Sequence, residues 1–212
     1  MRNIPMRTGD ELDQQYRRFA SFGIGLRVAC PAIVKTVDFE KQTLTAQPAI
    51  RERMNDGEGN LSWIEIPELL DVPFFIYSGG GYCLTLPIKP GDDCLIVFGD
   101  SCIDAWWQSG GVQNQIDRRR HDLSDGFAIV GFRSQPAVVT GYSGETAQLR
   151  NKAGDAYVEI SGSNINIVAS GAINISGGSV NIENQTTIDG KVFLPHKHEN
   201  VMSGPDKTGG VA

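Results

Sequence analysis

Apolar and polar positions along the chain fall into three successive regimes. In the first, Thr8-Gly9-Asp10-Glu11 forms a capping-box pattern and Leu12, Tyr16 and Phe19 then recur at helical spacing, predicting a short amphipathic helix from about 10 to 20. A helix that short is marginal alone and should dock on the body or on a partner. In the second regime, strand-like runs cover Leu26 to Val37, Gln42 to Arg53, Leu61 to Ile66, Phe74 to Tyr77, Tyr82 to Ile88 and Cys94 to Phe98. Turn material separates them at Phe39-Glu40-Lys41, Asn55 to Asn60 and Lys89-Pro90-Gly91-Asp92-Asp93. Five or six strands without an intervening helix of length predict a small closed Greek-key barrel of the OB type.

The third regime is a run of β-branched dyads: Val158-Glu159-Ile160, Ile165-Asn166-Ile167, Ile173-Asn174-Ile175 and Val180-Asn181-Ile182, with Ile188 beginning a fifth. Side chains alternate across a strand, so each dyad puts its branched residues on one face and its Asn or Glu on the other. Ser161-Gly162-Ser163, Ser170-Gly171, Ser176 to Ser179 and Asn184-Gln185-Thr186 supply the turns. A period this short fits a β-helix or β-prism better than a layered domain. In one chain, two apolar residues per rung bury too little to offset the ordering of the turns, and the edges stay open. Three chains about one axis would cover every inward Ile and Val and pair every edge; a single-chain solenoid or a plain edge hairpin is the alternative. The expected fold class is therefore all-β, with a leader at 1–25, an OB-fold barrel at 26–137, a trimeric intertwined β-helix at 138–190 and an apex at 191–212.

Composition narrows the function classes. The chain of 212 residues has room for one ordinary domain plus an appendage, and its 40% hydrophobic and 21% charged residues argue against overall disorder. A net charge of -6 argues against general nucleic-acid binding. The basic run Arg118-Arg119-Arg120 reads as a solvated turn, and the neighbouring His121 as a structural histidine. Neither a signal peptide nor a membrane span is evident, so synthesis in the cytoplasm is expected. Cysteines 30, 83, 94 and 102 have no C-x-x-C spacing and lie among apolar residues, predicting buried free thiols.

The candidate metal ligands are His196 and His198, two apart in His196-Lys197-His198. On an extended strand both imidazoles leave the same face, and a threefold axis would multiply the pair to six nitrogen donors. Six imidazoles in two stacked triangles make an octahedral site, suited to Fe(II) or Ni(II), with cobalt or a six-coordinate zinc also open. Glu199 to Ala212, rich in small turn-forming residues, would cap that layer or form a free tail.

The ordered set Pro87 to Phe98, Ile103-Asp104-Ala105-Trp106-Trp107 and Arg120 to Ala128, followed by the dyads and the histidine triplet, resembles the central spike proteins of contractile-tailed bacteriophages, the baseplate-assembly-protein-V type. The resemblance covers nearly everything from about 26 onward. It implies an N-terminal OB-fold, a trimeric β-helix and a narrow apex whose H-x-H histidines bind iron, one ion per trimer with six His ligands. Some relatives carry a lysozyme domain, for which this chain has no spare length.

Three functional classes follow. The first is a non-enzymatic homotrimeric spike at the virion tail tip that pierces the host outer membrane on sheath contraction, its barrel anchored to baseplate hub or tail tube proteins, with no nucleic acid and no small-molecule substrate as partner. Type VI and extracellular contractile injection systems use similar spikes. The second class is an enzyme: His196-Lys197-His198-Glu199 superficially resembles a cupin-type centre, but no later histidine completes it, and Asp92-Asp93 should point apart and make a poor acid-base pair. The third is a cell-surface-binding fibre, against which stands the lack of any aromatic residue from 158 to 192.

Overall fold

A computed structural model of the chain describes residues 11–55, 60–183 and 185–193. The described chain is mostly β with few helices, and it divides after Val138 into two compact units.

The first unit opens on helix α1 (Glu11–Gly25), which runs past the expected end near 20 and leaves Tyr16 and Phe19 exposed. Strands β1 (Ala29–Asp38), β2 (Thr43–Pro48), β3 (Glu52–Asn55), β4 (Leu61–Ile64), β5 (Leu69–Pro73), β6 (Tyr77–Gly79), β7 (Tyr82–Leu84) and β8 (Asp93–Phe98) follow. Then come helix α2 (Asp104–Ser109) and β9 (Gly126–Val130). Five of these strands form one sheet in the order β5-β2-β1-β8-β9, with antiparallel pairing throughout. The sheet curls into a half-barrel. Just beyond β5, Phe74 forms a parallel bridge to Ala128 of β9, and the Phe75 amide donates to the Ala128 carbonyl at 2.8 Å. The inner face of the curl is the core, dominated by Val34, Leu44, Leu69, Val72, Ile96 and Phe98. Complete burial of apolar side chains such as these contributes roughly 1.5–3 kcal/mol each before entropy is counted.

Local chemistry sets the turns. The Asp38 carboxylate accepts from the amides of Glu40 and Lys41, both at 3.0 Å, and Gln42 closes the β1–β2 turn at φ 57°. In the Pro90-Gly91-Asp92 turn, Asp92 accepts from the Lys89 amide at 2.8 Å. Gly91, at a φ of 92° that disfavours any side chain, donates to the Val34 carbonyl. The turn is thereby stitched to β1.

Strand β5 was not expected from sequence. Its Leu-Leu-Asp-Val-Pro run breaks the alternation of a half-buried strand, because Asp71 sits at φ 52° and the pairing to β2 shifts register between Leu44 and Ala46. Such a bulge hides the period of two. Beside the sheet stand two separate hairpins. One is β3–β4, with Arg53 opposite Trp63; the other is β6–β7, joined by the two-residue loop Gly80-Gly81.

The second unit contains a three-stranded antiparallel meander, β10 (Ala147–Arg150), β11 (Ala156–Ser161) and β12 (Asn164–Ala169), and a small hairpin of β13 (Thr187–Ile188) and β14 (Lys191–Val192). The first two dyads lie on β11 and β12, as expected. The third and fourth, at 173–175 and 180–182, form no strand, because a strand exists only by pairing and none of the described residues pairs with them.

Candidate functional site

Strand alternation sorts the meander into two chemically opposite faces. Ladder register places Ala147, Ile160 and Ile165 in one row across the three strands, and Leu149, Val158 and Ile167 in the next row on the same side. This face is wholly aliphatic and uncovered, with Leu149 55%, Ile160 55% and Ile165 69% exposed. The other face carries Gln148, Glu159 and Asn166 in register, with Arg150, Tyr157 and Val168 beside them.

On that second face Glu159 organises the polar groups. Its carboxylate accepts from Gln148 Nε2 at 2.5 Å, Thr146 Oγ1 at 2.9 Å and Asn166 Nδ2 at 3.0 Å. Led by the Gln148 bond and then the Asn166 and Thr146 bonds, these hold the Glu159 carboxyl below its ordinary pKa. At the open end of β10, Arg150 donates to the carbonyls of Gly141 and Thr140 at 2.5 and 3.2 Å. One wall of the sheet is thus a closed hydrogen-bond network suited to water, while the other is bare hydrocarbon. The aliphatic character continues beyond the meander in Ile173, Ile175, Val180, Ile182 and Ile188, all exposed.

His196 and His198 lie outside the described residues. Among the described residues a different cluster of metal-ligating types occurs, Cys102, Asp104 and Asp125. It is already neutralised by an arginine. Arg119 donates to the fully buried Asp125 carboxylate through Nε at 2.7 Å and Nη2 at 2.9 Å, and to Asp104 through Nη2 at 2.8 Å. The Ile103 amide donates to Asp125 at 2.9 Å as well. The bonds to Asp125 and then Asp104 raise the guanidinium pKa further above its ordinary value. A cation on this spot would have to displace a well-fitted guanidinium.

That arrangement corrects the reading of 118–120 as a solvated turn. Arg118 is exposed, but Arg119 is a half-buried clamp, and Arg120 pairs on the surface with Asp100 at 2.6 Å. No local signal separates three consecutive arginines. The partner acids at 104 and 125 become informative only once the chain folds.

Other candidate groups resolve as follows. Asp92 and Asp93 serve different loops, Asp92 through the Lys89 amide and Asp93 through the Ser134 amide and hydroxyl, both at 2.9 Å. His121 is half-buried at φ 48°, with Nε2 3.6 Å from an Asp100 carboxylate oxygen. All four cysteines are free. Cys94 is buried as expected, with burial first and the neighbouring Cys30, Asp93 and Asp92 next pushing its pKa up to about 11. Cys30 and Cys102 are half-buried, and Cys83 is exposed on β7, contrary to the expectation of burial.

Residues 30–131 match the family described as phage protein Gp138 N-terminal domain, a span that begins within β1 and ends just after β9. The match points to a phage tail- or baseplate-associated protein, structural in role and virion-associated in location. No curated protein matches the chain.

Proposed function

We propose that this chain is the central spike of a contractile phage tail baseplate, a homotrimeric needle that pierces the host outer membrane when the sheath contracts. The observation that carries the reading is the uncovered aliphatic row from Leu149 to Ile188, set against a polar wall already satisfied by its own hydrogen bonds. Exposed hydrocarbon in that quantity is costly in water and is relieved when copies of the chain pack around a common axis. A needle built this way has a dry interior and a wet exterior on which Tyr157 is the one aromatic side chain of the meander, so it carries axial load and slides rather than adheres.

The match over 30–131 supports a phage tail role for the first unit. The strand order β5-β2-β1-β8-β9, with the parallel contact between Phe74 and Ala128 bringing the two edge strands together, supports reading the half-barrel as an OB-type barrel. In this account the barrel anchors the needle to hub or tube proteins and the second unit transmits force. His196 and His198 would hold one transition-metal ion per trimer, and the donor chemistry fits, since three chains bring six imidazole nitrogens. Iron is the ion favoured by the resemblance to known spikes. Its contribution is structural, because ligands that converge only in the assembled tip add binding free energy to assembly. The chain's own residues carry no chemical step in this role.

The test uses particles built with His196→Ala and His198→Ala together. They should adsorb to cells and contract normally but deliver less efficiently, because a frayed apex spreads force over more membrane. Failure at adsorption would instead identify a receptor-binding fibre, and wild-type delivery would show that the metal-ordered tip is dispensable for piercing.

A further inference from the structure

We infer that the β6–β7 hairpin of one chain docks, apolar face first, into the groove beside β4 on a neighbouring copy, so that the first units link head to tail in a closed ring. The inference rests on the homotrimer proposed above, but its surfaces lie wholly in the first unit, whereas the trimer reading is carried by the second.

The hairpin is the donor. Between Asp71 and Lys89 no residue carries a charge. Ladder pairing sets Tyr77 opposite Leu84 and Gly79 opposite Tyr82, which puts both tyrosines and Leu84 on one face and leaves Ser78 and Cys83 on the other. Phe75 extends the apolar face through an edge-on contact with Tyr77 at 5.2 Å. Tyr77 and Tyr82 are 74% and 85% exposed. Gly80 and Gly81 both hold the positive φ that a tight hairpin turn requires, so the arm has its shape before it meets a partner. A two-stranded hairpin with neither face packed is only marginally stable in water, however, and gains by being covered.

The groove is the acceptor. Ile33, Ala49, Ile50 and Trp63 line a hollow of about 560 Å³, and Trp63 is 66% exposed. The charged lining residues Arg51 and Glu65 neutralise one another at 2.8 Å, so an uncharged arm meets no uncompensated charge there. Topology separates the two surfaces. β1 is the middle strand of the five, and Ile33 points outward from it between buried Ala32 and Val34. The hairpin springs from the far side of the curl, where Phe74 bridges to Ala128 and brings the edge strands together. Donor and acceptor on opposite sides of one body cannot satisfy each other within a chain; they join successive copies, and a head-to-tail contact of this kind forms a ring when the rotation closes.

Magnitude favours tethered copies over a free partner. Three rings of about 150–250 Å² each fall short of the ~800 Å² per partner that a free-standing complex buries. Copies already joined through the second unit face each other at millimolar effective concentration, where a contact of that size suffices. A bilayer is the poorer fit, because the tip that would enter it offers Gly79-Gly80-Gly81 and two phenolic hydroxyls rather than hydrocarbon.

Cross-linking in the full chain tests the contact, after the mass of each variant in solution has been measured. Cys83 is exposed on the arm next to Tyr82, and Glu65→Cys sets a second thiol on the groove rim. A short bis-maleimide should then give two-chain and three-chain bands on a denaturing gel. Those bands should vanish with Cys83→Ser, with Tyr77→Asp plus Tyr82→Asp, and with Trp63→Asp, while the three-chain mass in solution persists. A trimer whose Glu65→Cys variant stays at one chain mass would overturn the docking, whether its thiols remain free or link within a chain. A two-chain band from the parent, through Cys83 alone, would show hairpins meeting each other and overturn the head-to-tail order. Links that survive the tyrosine variant would show that the apolar face is not what docks. Flotation of the parent with phosphatidylcholine vesicles, lost in the tyrosine variant, would reassign the arm to a bilayer. A single-chain mass for the parent would remove the trimer reading itself, and this contact with it.

Discussion

Replacing Arg119 by Ala should destabilise the first unit far more than the same change at its neighbour Arg120. Arg119 makes three charge-assisted hydrogen bonds, two to Asp125 and one to Asp104, and Asp125 is fully buried. Truncation leaves the Asp125 side chain with the Ile103 amide alone. Breaking a fully buried ion pair from one side costs roughly 3–5 kcal/mol. The guanidinium is 23% exposed and Asp104 45% exposed, so water can partly replace what is lost, and we expect about 2–4 kcal/mol after allowing for that screening. Arg120 and Asp100 are 55% and 76% exposed, and that pair should contribute about 0.2–1 kcal/mol. The assay is urea unfolding of the full chain followed by tryptophan fluorescence, because Trp106 and Trp107 lie on α2 beside Asp104. A parallel thermal scan should show a drop on the order of 10 °C for Arg119→Ala. Equal losses for the two arginines would refute the claim that 119 clamps a buried acid.

Three further outcomes are expected. Because hydrogen bonds from Gln148, Asn166 and Thr146 depress the Glu159 pKa, the stability they add is present above the ordinary glutamate range and is lost as pH falls through the lowered value; Glu159→Gln should flatten that acid-side loss in a pH series of unfolding curves. Thiol labelling at pH 8 should show one fast site at Cys83, abolished by Cys83→Ser, while Cys94, with its pKa near 11, reacts only on unfolding. Adding the carboxylate of Ile160→Asp to the bare face should weaken self-association while leaving the fluorescence of the first unit unchanged, as read by sedimentation and emission together.

The readable parts of the sequence were those where one physical rule acts locally. Cys94 to Phe98 and the dyads at 158–160 and 165–167 became strands where their apolar runs stand. Asp38 and Gly91 built the turns their residue types favour. What escaped depended on long-range context. β5 was hidden by a bulge whose register is fixed by β2, and the inward role of Arg119 by acids at 104 and 125 that only the folded loop brings onto one side chain. The dyads at 173–175 and 180–182 showed the converse: a strong strand pattern stays unpaired where the described residues offer no partner. The uncovered aliphatic face was legible in advance, because alternation alone says which side Ile and Val must take. The histidine pair could be recognised by spacing, but its geometry falls outside the described residues.

Native mass spectrometry of the purified full-length chain tests the central claim most directly, since a single spectrum reports both chain number and bound metal. The spike account predicts one dominant species at three times the 23.0 kDa chain mass carrying a single transition-metal ion, which disappears when His196 and His198 are replaced by Ala. A single-chain species at micromolar concentration, or one metal ion on every chain, would contradict it.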